Sequence, residues 1–511
     1  MTLHGNKPLR VVSSALVKKT IDTAETELRS CWRVVAALSS CKLEPDFGES
    51  LVKFQLRLLE AIATVEETYR VIKQEEKRLV SRKSRLNPDW FRKRMAQLAT
   101  YTKALAHVLG IARAIGDGFA WFFYERDRKL IDEHLKHQRQ PLLPPKIGAL
   151  GERLTLKNML VIDQKMLLYH GITTFLRIGD FSLIDLKTMR VSSIGELKTE
   201  RPDDEHIQTH VALVASNPAQ LPRIPIRKGA PKAAPAILPA AMVERRKRQL
   251  KVMRAAMMAA ATRGRKAMEA TRNDFHFAEL EQVASRCGSR KFEWAQVGDG
   301  FIMGAVRLSP SRTRKLSSLL LNKATERAGH LATDAPEWAM KILSTTKREL
   351  NSLIIGTVCG DEKDFIAPRS AFPVALWPVD PAVLEDVLFS GVMLLTLLNP
   401  AHLWASIAEQ GFELEFDEKG CVASATKKYG ERVMELKNLG YYTHLISCFM
   451  LTERSVLALI EQLIEISHDR YKGGSMKIEL DPKINRYRVP PTRKTRAGRI
   501  KKPPSGRKLL Q

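Results

Sequence analysis

The chain has 511 residues, a length that corresponds to about three domains of ordinary size. Hydrophobic residues make up 44% of it and charged residues 27%, a balance that excludes wholesale disorder. Lys and Arg number 83 against 56 Asp and Glu, so the net charge is +27. Because phosphates are the anions that Lys and Arg most often neutralise, this charge predicts a nucleic acid as partner, ahead of an anionic membrane surface. A soluble protein with a basic tail is the simpler alternative.

Residues 1–140 are predicted to form a helical domain, because apolar residues recur at spacings of three and four along two stripes. The first stripe is Val17, Ile21, Ala24, Leu28, Cys31, Val35 and Leu38, and the second is Leu58, Ile62, Val65, Tyr69 and Ile72. Asn87-Pro88 is typical of an N-cap and a first-turn proline, so a third helix should begin near Asp89. Five aromatic residues between Phe119 and Tyr124 could stack on bases, although such a segment more often packs in a core. These helices could also bind a protein partner or a second copy of the chain.

After Pro141–Pro145 the spacing of apolar residues changes from helical to strand-like, which predicts an α/β region whose first part is 146–216. Its predicted strands are Leu176–Asp185 and Arg190–Lys198. Residues 217–272 combine a Pro-rich linker with a basic helix that suits a phosphate backbone. The helix residues expected to bind nucleic acid are Arg245, Arg246, Lys247, Arg248, Lys251 and Arg254. A solvated basic face above a Met-lined underside is a structural interpretation that is compatible with binding.

The α/β core is predicted to continue over residues 273–400, followed by a C-terminal α/β region over 401–480. Gly298-Asp299-Gly300 is typical of a tight hairpin turn, and the apolar run Val387–Leu398 predicts a strand. From residue 481 to 511 there are 11 Lys or Arg, one acidic residue and five prolines. This composition predicts a disordered basic tail, in which Arg493, Lys494 and Arg496 would bind nucleic acid.

The cysteines predict a reducing, cytoplasmic location. They stand at positions 31, 41, 287, 359, 421 and 448, with no C-x-x-C pair and no His at zinc-finger spacing. The first ten residues contain no apolar signal core, and the longest apolar run, Val387–Leu398, is too short to span a bilayer. No membrane partner is therefore expected.

The residues most informative about chemistry lie in the predicted hairpin. If its turn centres on Thr188, Asp180 lies opposite Glu196, and the period of two puts Lys198 on the same face. Asp185 is a rival acid, but its parity places it on the opposite face. Two neighbouring carboxylates repel each other, and a divalent cation relieves that repulsion. The arrangement therefore predicts an Mg²⁺ or Mn²⁺ site suited to phosphodiester hydrolysis, with Lys198 orienting water or stabilising charge.

At these residues the sequence resembles the PD-(D/E)XK nuclease superfamily, whose pattern is an acid on one strand and Glu-x-Lys on the next. Here the pattern is Gly179-Asp180 followed by Glu196-Leu197-Lys198. The resemblance implies a restriction-endonuclease-like mixed sheet flanked by helices, preceded here by the helical region and interrupted by insertions. It implies metal binding by Asp180 and Glu196, catalysis by Lys198, and cleavage of DNA, or of RNA, as the activity. Many members add a Glu from the preceding helix, which Glu152 matches.

Two departures from the family pattern are visible. Gly179 replaces the usual Pro, and Gln208, which matches a Gln on the following helix in some members, has no Tyr four residues later. The first alternative to a nuclease is a non-catalytic nucleic-acid-binding or assembly protein with a structural ion-pair cluster at this hairpin. The second is an interaction scaffold built on the N-terminal helices. His134 and His137 are expected to lie on an exposed helix face rather than to bind metal. His206 and His210, just after the Glu-x-Lys, could help with substrate or a proton, although surface histidines beside Asp203-Asp204-Glu205 are the simpler interpretation.

Overall fold

The computed structural model describes residues 11–39, 47–137, 147–159, 161–200, 208–217, 221–222, 240–262, 274–287, 292–308, 315–322, 336–343, 353–360, 362–366, 372–416, 422–429, 432–437, 439–470 and 476–478. Arg493, Lys494, Arg496 and the rest of the predicted basic tail lie outside them. So do most of the Pro-rich linker and His206.

Four helices form the N-terminal part of the fold: α1 (Ser14–Ser39), α2 (Phe47–Ser81), α3 (Pro88–Tyr124) and α4 (Arg128–Leu135). All seven residues of the first predicted stripe are buried along α1, and four of the five in the second are buried along α2. The side chain of Asn87 accepts hydrogen bonds from the backbone N–H groups of Asp89 and Trp90, at 3.0 and 3.1 Å. The predicted helices and the predicted N-cap are therefore confirmed.

The aromatic residues near the end of α3 belong to the core. Phe119, Phe123 and Tyr124 are buried, and the rings of Phe54 and Phe119 stack with centroids 4.1 Å apart. The hydroxyl of Tyr124 lies 2.5 Å from that of Ser182, which joins α3 to the neighbouring sheet. The core interpretation of this cluster is confirmed.

A five-stranded sheet follows the helices. After α5 (Ile147–Met159) its strands are β1 (Val161–Ile162), β2 (Lys165–Tyr169), β3 (Phe181–Asp185), β4 (Arg190–Glu200) and β5 (Gln208–Ala215). They are ordered β1-β2-β3-β4-β5, and every neighbouring pair is antiparallel. The mixed sheet expected at the hairpin is therefore wrong for these strands. The cause is that each strand pairs with the next strand in the chain, and no crossover reverses the direction of pairing.

The hairpin has the predicted register over its first half. Phe181 pairs with Gly195 and Leu183 with Ser193, as a turn centred on Thr188 requires. The register then shifts by one residue between Leu183 and Ile184, where β4 contains a bulge. The strand predicted from Leu176 begins only at Phe181, because Gly179 has a φ of +71° and the chain turns there.

Beyond the sheet, α6 (Ala240–Thr262) confirms the predicted basic helix over its described part. The remaining elements are α7 (Phe277–Arg286), β6 (Glu293–Gly298), β7 (Phe301–Arg307), α8 (Leu316–Leu321), α9 (Glu337–Leu343), β8 (Ile354–Val358), α10 (Pro381–Leu388), β9 (Val392–Leu398), α11 (Ala401–Glu409), β10 (Glu413–Phe416), β11 (Val422–Tyr429), β12 (Arg432–Leu436), α12 (Gly440–Phe449), α13 (Glu453–Arg470) and β13 (Met476–Ile478). They build two four-stranded sheets, ordered β6-β7-β9-β8 and β10-β11-β12-β13.

The C-terminal half is thus α/β, as predicted, with one local error. The apolar run from Val387 to Leu398 is a strand only from Val392, because α10 extends to Leu388. Asp380 caps that helix by accepting hydrogen bonds from the N–H groups of Ala382 and Val383.

One apolar core cluster contains residues from α1–α3, from the five-stranded sheet and from the C-terminal elements. The domain boundaries stay predictions. None of the helices in the described ranges is both long and apolar enough to cross a bilayer.

Candidate active site

Asp180 stands at the entrance to β3, where the backbone departs from the regular ladder. Its N–H donates to the carbonyl of Gly195 at 2.8 Å, and its Oδ2 accepts from the N–H of Leu197 at 2.6 Å. A Cβ on Gly179 would lie 2.6 Å from that same carbonyl, and φ is +71°. Proline, with its φ fixed near −65°, cannot adopt this conformation. The departure of Gly179 from the PD-(D/E)XK pattern therefore has a local backbone cause.

Glu196 and Lys198 project from one face of β4, as the period of two predicts. Glu196 is buried, and its Oε1 accepts from Lys198 Nζ at 2.5 Å. Lys198 remains partly exposed, with 30% of its side chain accessible. On the neighbouring strand β5, Ala212 lies opposite Glu196 and His210 lies opposite Lys198. Ala212 has a small side chain, and His210 is half-buried. His210 thus lies on the same face as the ion pair, close to the Glu-x-Lys as its place in the sequence indicated, and it is half-buried rather than a surface residue.

Glu152 reaches the same cluster from α5. Tyr169, at the end of β2, donates a hydrogen bond from its hydroxyl to Glu152 Oε2. Burial raises the pKa of Glu152 to about 7, the bond from Tyr169 opposes that rise, and the charges of Asp180 and Glu196 add to it. Burial likewise raises the pKa of Asp180 to about 7, and Glu196 is the next cause. Glu152 and Asp180 therefore both resist ionisation, and the charge of Glu196 contributes to the rise of both pKa values.

The helices hold the segment that leads into Asp180. His170 donates from its backbone N–H to the carbonyl of Asp180 at 2.9 Å, and its ring nitrogens contact Gly179 O at 3.1 Å and Ser182 Oγ at 2.7 Å. His134 Nδ1 accepts from the N–H groups of Arg177 and Ile178 at 2.9 and 3.0 Å. The position of Asp180 therefore depends on two buried histidines, one of which, His134, lies on α4.

The basic helix α6 packs beside the strands β4 and β5 of the sheet that carries the acid cluster. The positive charge of Arg245 lowers the pKa of Asp180, in opposition to burial and to Glu196. The helix packs against α4, β4 and β5. Its buried underside is formed by Met253, Ala256 and Met257, so the Met-lined interpretation is confirmed. Arg245, Lys247, Arg248, Lys251 and Arg254 are exposed, and Arg246 is half-buried.

The structure corrects or refines several sequence-based expectations. Gln208 begins strand β5 and does not lie on a helix. His134 is fully buried rather than exposed, and burial lowers its pKa well below the usual range. Asp185 points away from the cluster and accepts from the N–H groups of Lys187 and Thr188 in the hairpin turn. No local sequence pattern indicates Tyr169, because only the pairing of β2 with β3 brings it near Asp180.

The residues present suit a hard divalent cation by their chemistry. Asp180 Oδ1 and Glu196 Oε2 make no hydrogen bond to any described residue, and both are carboxylate oxygens, which Mg²⁺ prefers. Within the described ranges, no three His, Cys, Asp or Glu side chains are grouped so that they could hold a metal ion. Mg²⁺ needs only one or two carboxylates, because it retains several of its waters. Asp180 and Glu196 supply two carboxylates, the number that Mg²⁺ commonly takes from a protein.

Comparison with known proteins returned no match to any family model, curated protein or solved structure.

Proposed function

We propose that this protein is a metal-dependent nuclease that hydrolyses phosphodiester bonds of DNA, or of RNA. The observation that supports the proposal best is the convergence of Glu152, Asp180 and Glu196 from three elements, beside Lys198. A fold gains no stability from three partly buried carboxyl groups that repel one another. Such clusters are typical of sites that bind a cation or move a proton.

Each residue has a distinct role in the proposed reaction. Asp180 and Glu196 would hold Mg²⁺ or Mn²⁺, which when bound polarises the phosphate and lowers the pKa of water. Lys198 orients the attacking water and, as a point charge, stabilises the negative charge that grows on the phosphoryl oxygens. Glu152, with a pKa of about 7, is suited to accept the proton that the water loses. Tyr169 fixes the orientation of that carboxyl group through its hydrogen bond.

The exposed residues of α6 provide the affinity for nucleic acid in this proposal. Five of its cations are exposed, on a helix that packs against β4 and β5, and exposed cations can neutralise phosphates. Arg493, Lys494 and Arg496 would add contacts of the same kind from the C-terminal tail.

The test compares cleavage of single- and double-stranded DNA and RNA by the wild type and by Glu196→Gln and Lys198→Met, with Mg²⁺, Mn²⁺ or EDTA. Asp185→Asn is the matched control, because Asp185 lies in the same hairpin but caps its turn. We expect metal-dependent cleavage that falls at least about 100-fold in the two site variants and not in the control. A wild type that cuts none of these substrates with any metal would refute the proposal, and so would a fully active Glu196→Gln.

One observation favours a second candidate, the non-catalytic nucleic-acid-binding or assembly protein. The contact of 2.5 Å between Lys198 and the buried Glu196 is what a structural ion pair would show. This candidate predicts no calorimetric binding of Mn²⁺. It also predicts undiminished DNA binding when the two charges are exchanged in Glu196→Lys/Lys198→Glu.

A further inference from the structure

Trp90 is an exposed aromatic residue in a strongly basic part of the helical region. Residues 77–93, at the tip where α2 turns into α3, contain seven Lys or Arg and one acid, and all seven cations are exposed. We propose that one side of this tip binds single-stranded nucleic acid, with a base stacked on the indole ring of Trp90. This tip surface consists of Arg78, Arg82, Trp90 and Lys93. It shares no residue with the acid cluster or with α6, so the inference goes beyond the proposed function and does not require cleavage.

A buried ion pair fixes α2 and α3 to each other below the tip. Arg94 Nε donates to Glu75 Oε1 at 2.7 Å, and the two side chains are 7% and 1% exposed. Both also contact the backbone of Val12. Arg94 Nη2 donates to its carbonyl at 2.8 Å, and Glu75 Oε2 accepts from its N–H at 2.7 Å. Because Arg94 and Glu75 both reach Val12, they lie on the same side of the α2–α3 hairpin.

Trp90 and the two arginines lie on that side as well, nearer the tip. Trp90 precedes Arg94 by four residues, and Arg78 and Arg82 follow Glu75 by three and seven. Side chains at these spacings share a helix face. At 1.5 Å per residue, Trp90 stands about 6 Å beyond Arg94, whereas Arg78 and Arg82 stand about 4.5 and about 10.5 Å beyond Glu75. Since Arg94 contacts Glu75, Trp90 is level with the stretch between the two arginines of the neighbouring helix.

The cations of the tip surface can receive a ligand. Arg78, Arg82 and Lys93 form no ion pair with a described residue. Arg78 Nε donates to the carbonyl of Gln74 at 3.3 Å, which leaves its two Nη groups for a phosphate. Lys93 follows Trp90 by three residues and is therefore its neighbour on α3. The indole ring thus has positive charge on both sides.

An exposed indole among such cations is suited to a single strand of nucleic acid. Every base has a π face that can stack on an aromatic ring, and Arg and Lys can neutralise the phosphates beside it. A duplex is less suited, because its bases already stack on one another. An anionic membrane is the other extended polyanion, but helices bind it through several apolar side chains on one face. The other large apolar side chain exposed in residues 77–93 is Val80, and five residues from Glu75 it lies on a different side of α2.

The first experiment measures the affinity of the full chain for labelled oligo(dT), oligo(U) and duplex DNA of twelve residues by fluorescence anisotropy. EDTA is present, so that metal-dependent cleavage does not interfere. We expect Trp90→Ala to raise Kd at least about fivefold for both single strands, because one stacked base is lost. Affinity for the duplex should change little. Trp338→Ala, on α9, is the matched control, since Trp338 is 41% exposed and Trp90 42%.

A conservative variant separates stacking from any effect on the fold. Trp90→Phe should retain most of the affinity, because a smaller ring still stacks on a base. Stacking also quenches indole fluorescence. Oligo(dT) should therefore quench the wild type and Trp338→Phe more than it quenches Trp90→Phe.

The second experiment tests the phosphate contacts. Arg78→Gln/Arg82→Gln should lower the slope of log affinity against log salt by about 1.4, since each phosphate contact of a single strand contributes about 0.7. Lys187→Gln/Arg190→Gln is the control, because it removes two exposed cations from the β3–β4 turn and changes the net charge equally.

Each outcome supports or overturns the inference. If Trp90→Ala binds oligo(dT) as tightly as Trp338→Ala does, stacking on Trp90 is refuted. If the two double variants have the same salt slope, the arginines do not bind phosphates and the tip surface is not the binding site. Binding to vesicles of phosphatidylserine and phosphatidylcholine, but not to the oligonucleotides, would make the tip surface a membrane site and the inference wrong. A chain that cleaves nothing but loses affinity in Trp90→Ala would refute the proposed function and support this inference.

Discussion

Replacing Glu152 by Gln should stabilise this protein at alkaline pH, because the fold holds an acid that resists ionisation. The pKa of Glu152 is raised from 4.5 to about 7, so the folded state binds its proton more tightly than the unfolded state does. Stability is therefore lost as the pH rises from about 4.5 to about 7 and is constant above that. Gln cannot ionise, and its carbonyl oxygen can still accept the hydrogen bond from Tyr169.

The size of the gain follows from the pKa. A rise of about 2.5 units corresponds to about 3 kcal/mol at pH 8, at 1.36 kcal/mol per unit, and to less than about 1 kcal/mol at pH 5. Urea unfolding of the wild type and of Glu152→Gln at both pH values measures the difference. Nuclease activity should fall in the same variant, since the proposed proton acceptor is gone.

Asp185→Asn is the matched control for this stability experiment. Hydrogen bonds from the backbone of Thr188 and Lys187 lower the pKa of Asp185, so its carboxylate favours the folded state. At pH 8, Asp185→Asn should therefore be less stable than the wild type, whereas Glu152→Gln should be more stable. A gain for Glu152→Gln that is equal at pH 5 and pH 8, or a loss at pH 8, would refute the reasoning.

Three further predictions concern other parts of the fold. Gly179→Ala should destabilise the protein by about 1 to 2 kcal/mol and lower cleavage, since φ is positive and the new Cβ would meet the Gly195 carbonyl. Gly440→Ala, with nothing within 4 Å, is its control in both urea unfolding and cleavage assays. Burial lowers the pKa of His170 from 6.5 to about 4, so the unfolded state binds the proton more readily than the folded state does. The free energy of unfolding of the wild type should therefore decrease by about 3 kcal/mol as the pH falls from 6.5 to 4. His170→Gln should flatten that part of the pH profile of urea midpoints, and an unchanged profile would contradict this cause. Asn87→Ala should lower the free energy of unfolding by about 1 kcal/mol through loss of the α3 cap, whereas Asn87→Ser should retain most of it.

Features that depend on residues close together in the chain were readable from the sequence. The stripe from Val17 to Leu38 predicted the buried face of α1 correctly, because helical periodicity is local. The N-cap at Asn87 and the turn at Gly298-Asp299-Gly300 were predicted for the same reason. The pairing of β3 with β4 next to Asp180 was also predicted correctly, because a turn centred on Thr188 fixes which residues of the two strands lie opposite each other.

Local pattern failed where neighbours distant in sequence decide the outcome. The apolar run after Val387 is compatible with either a helix or a strand, and in the fold it contains both the end of α10 and β9, which pack against each other. His134 has the spacing of an exposed helix residue. It is buried because the chain at Arg177 and Ile178 donates two hydrogen bonds to its ring.

The sequence by itself determined the residue types of the candidate site, Asp180, Glu196 and Lys198, and the basic character of α6. The resemblance also indicated Glu152, but only the tertiary structure brought Tyr169 to that carboxyl group, from β2. The physical reason is that pairing between strands and packing between helices depend on contacts across long chain separations. These contacts bury Asp180 and Glu152 and so raise the pKa of both carboxyl groups, which a short sequence motif cannot predict.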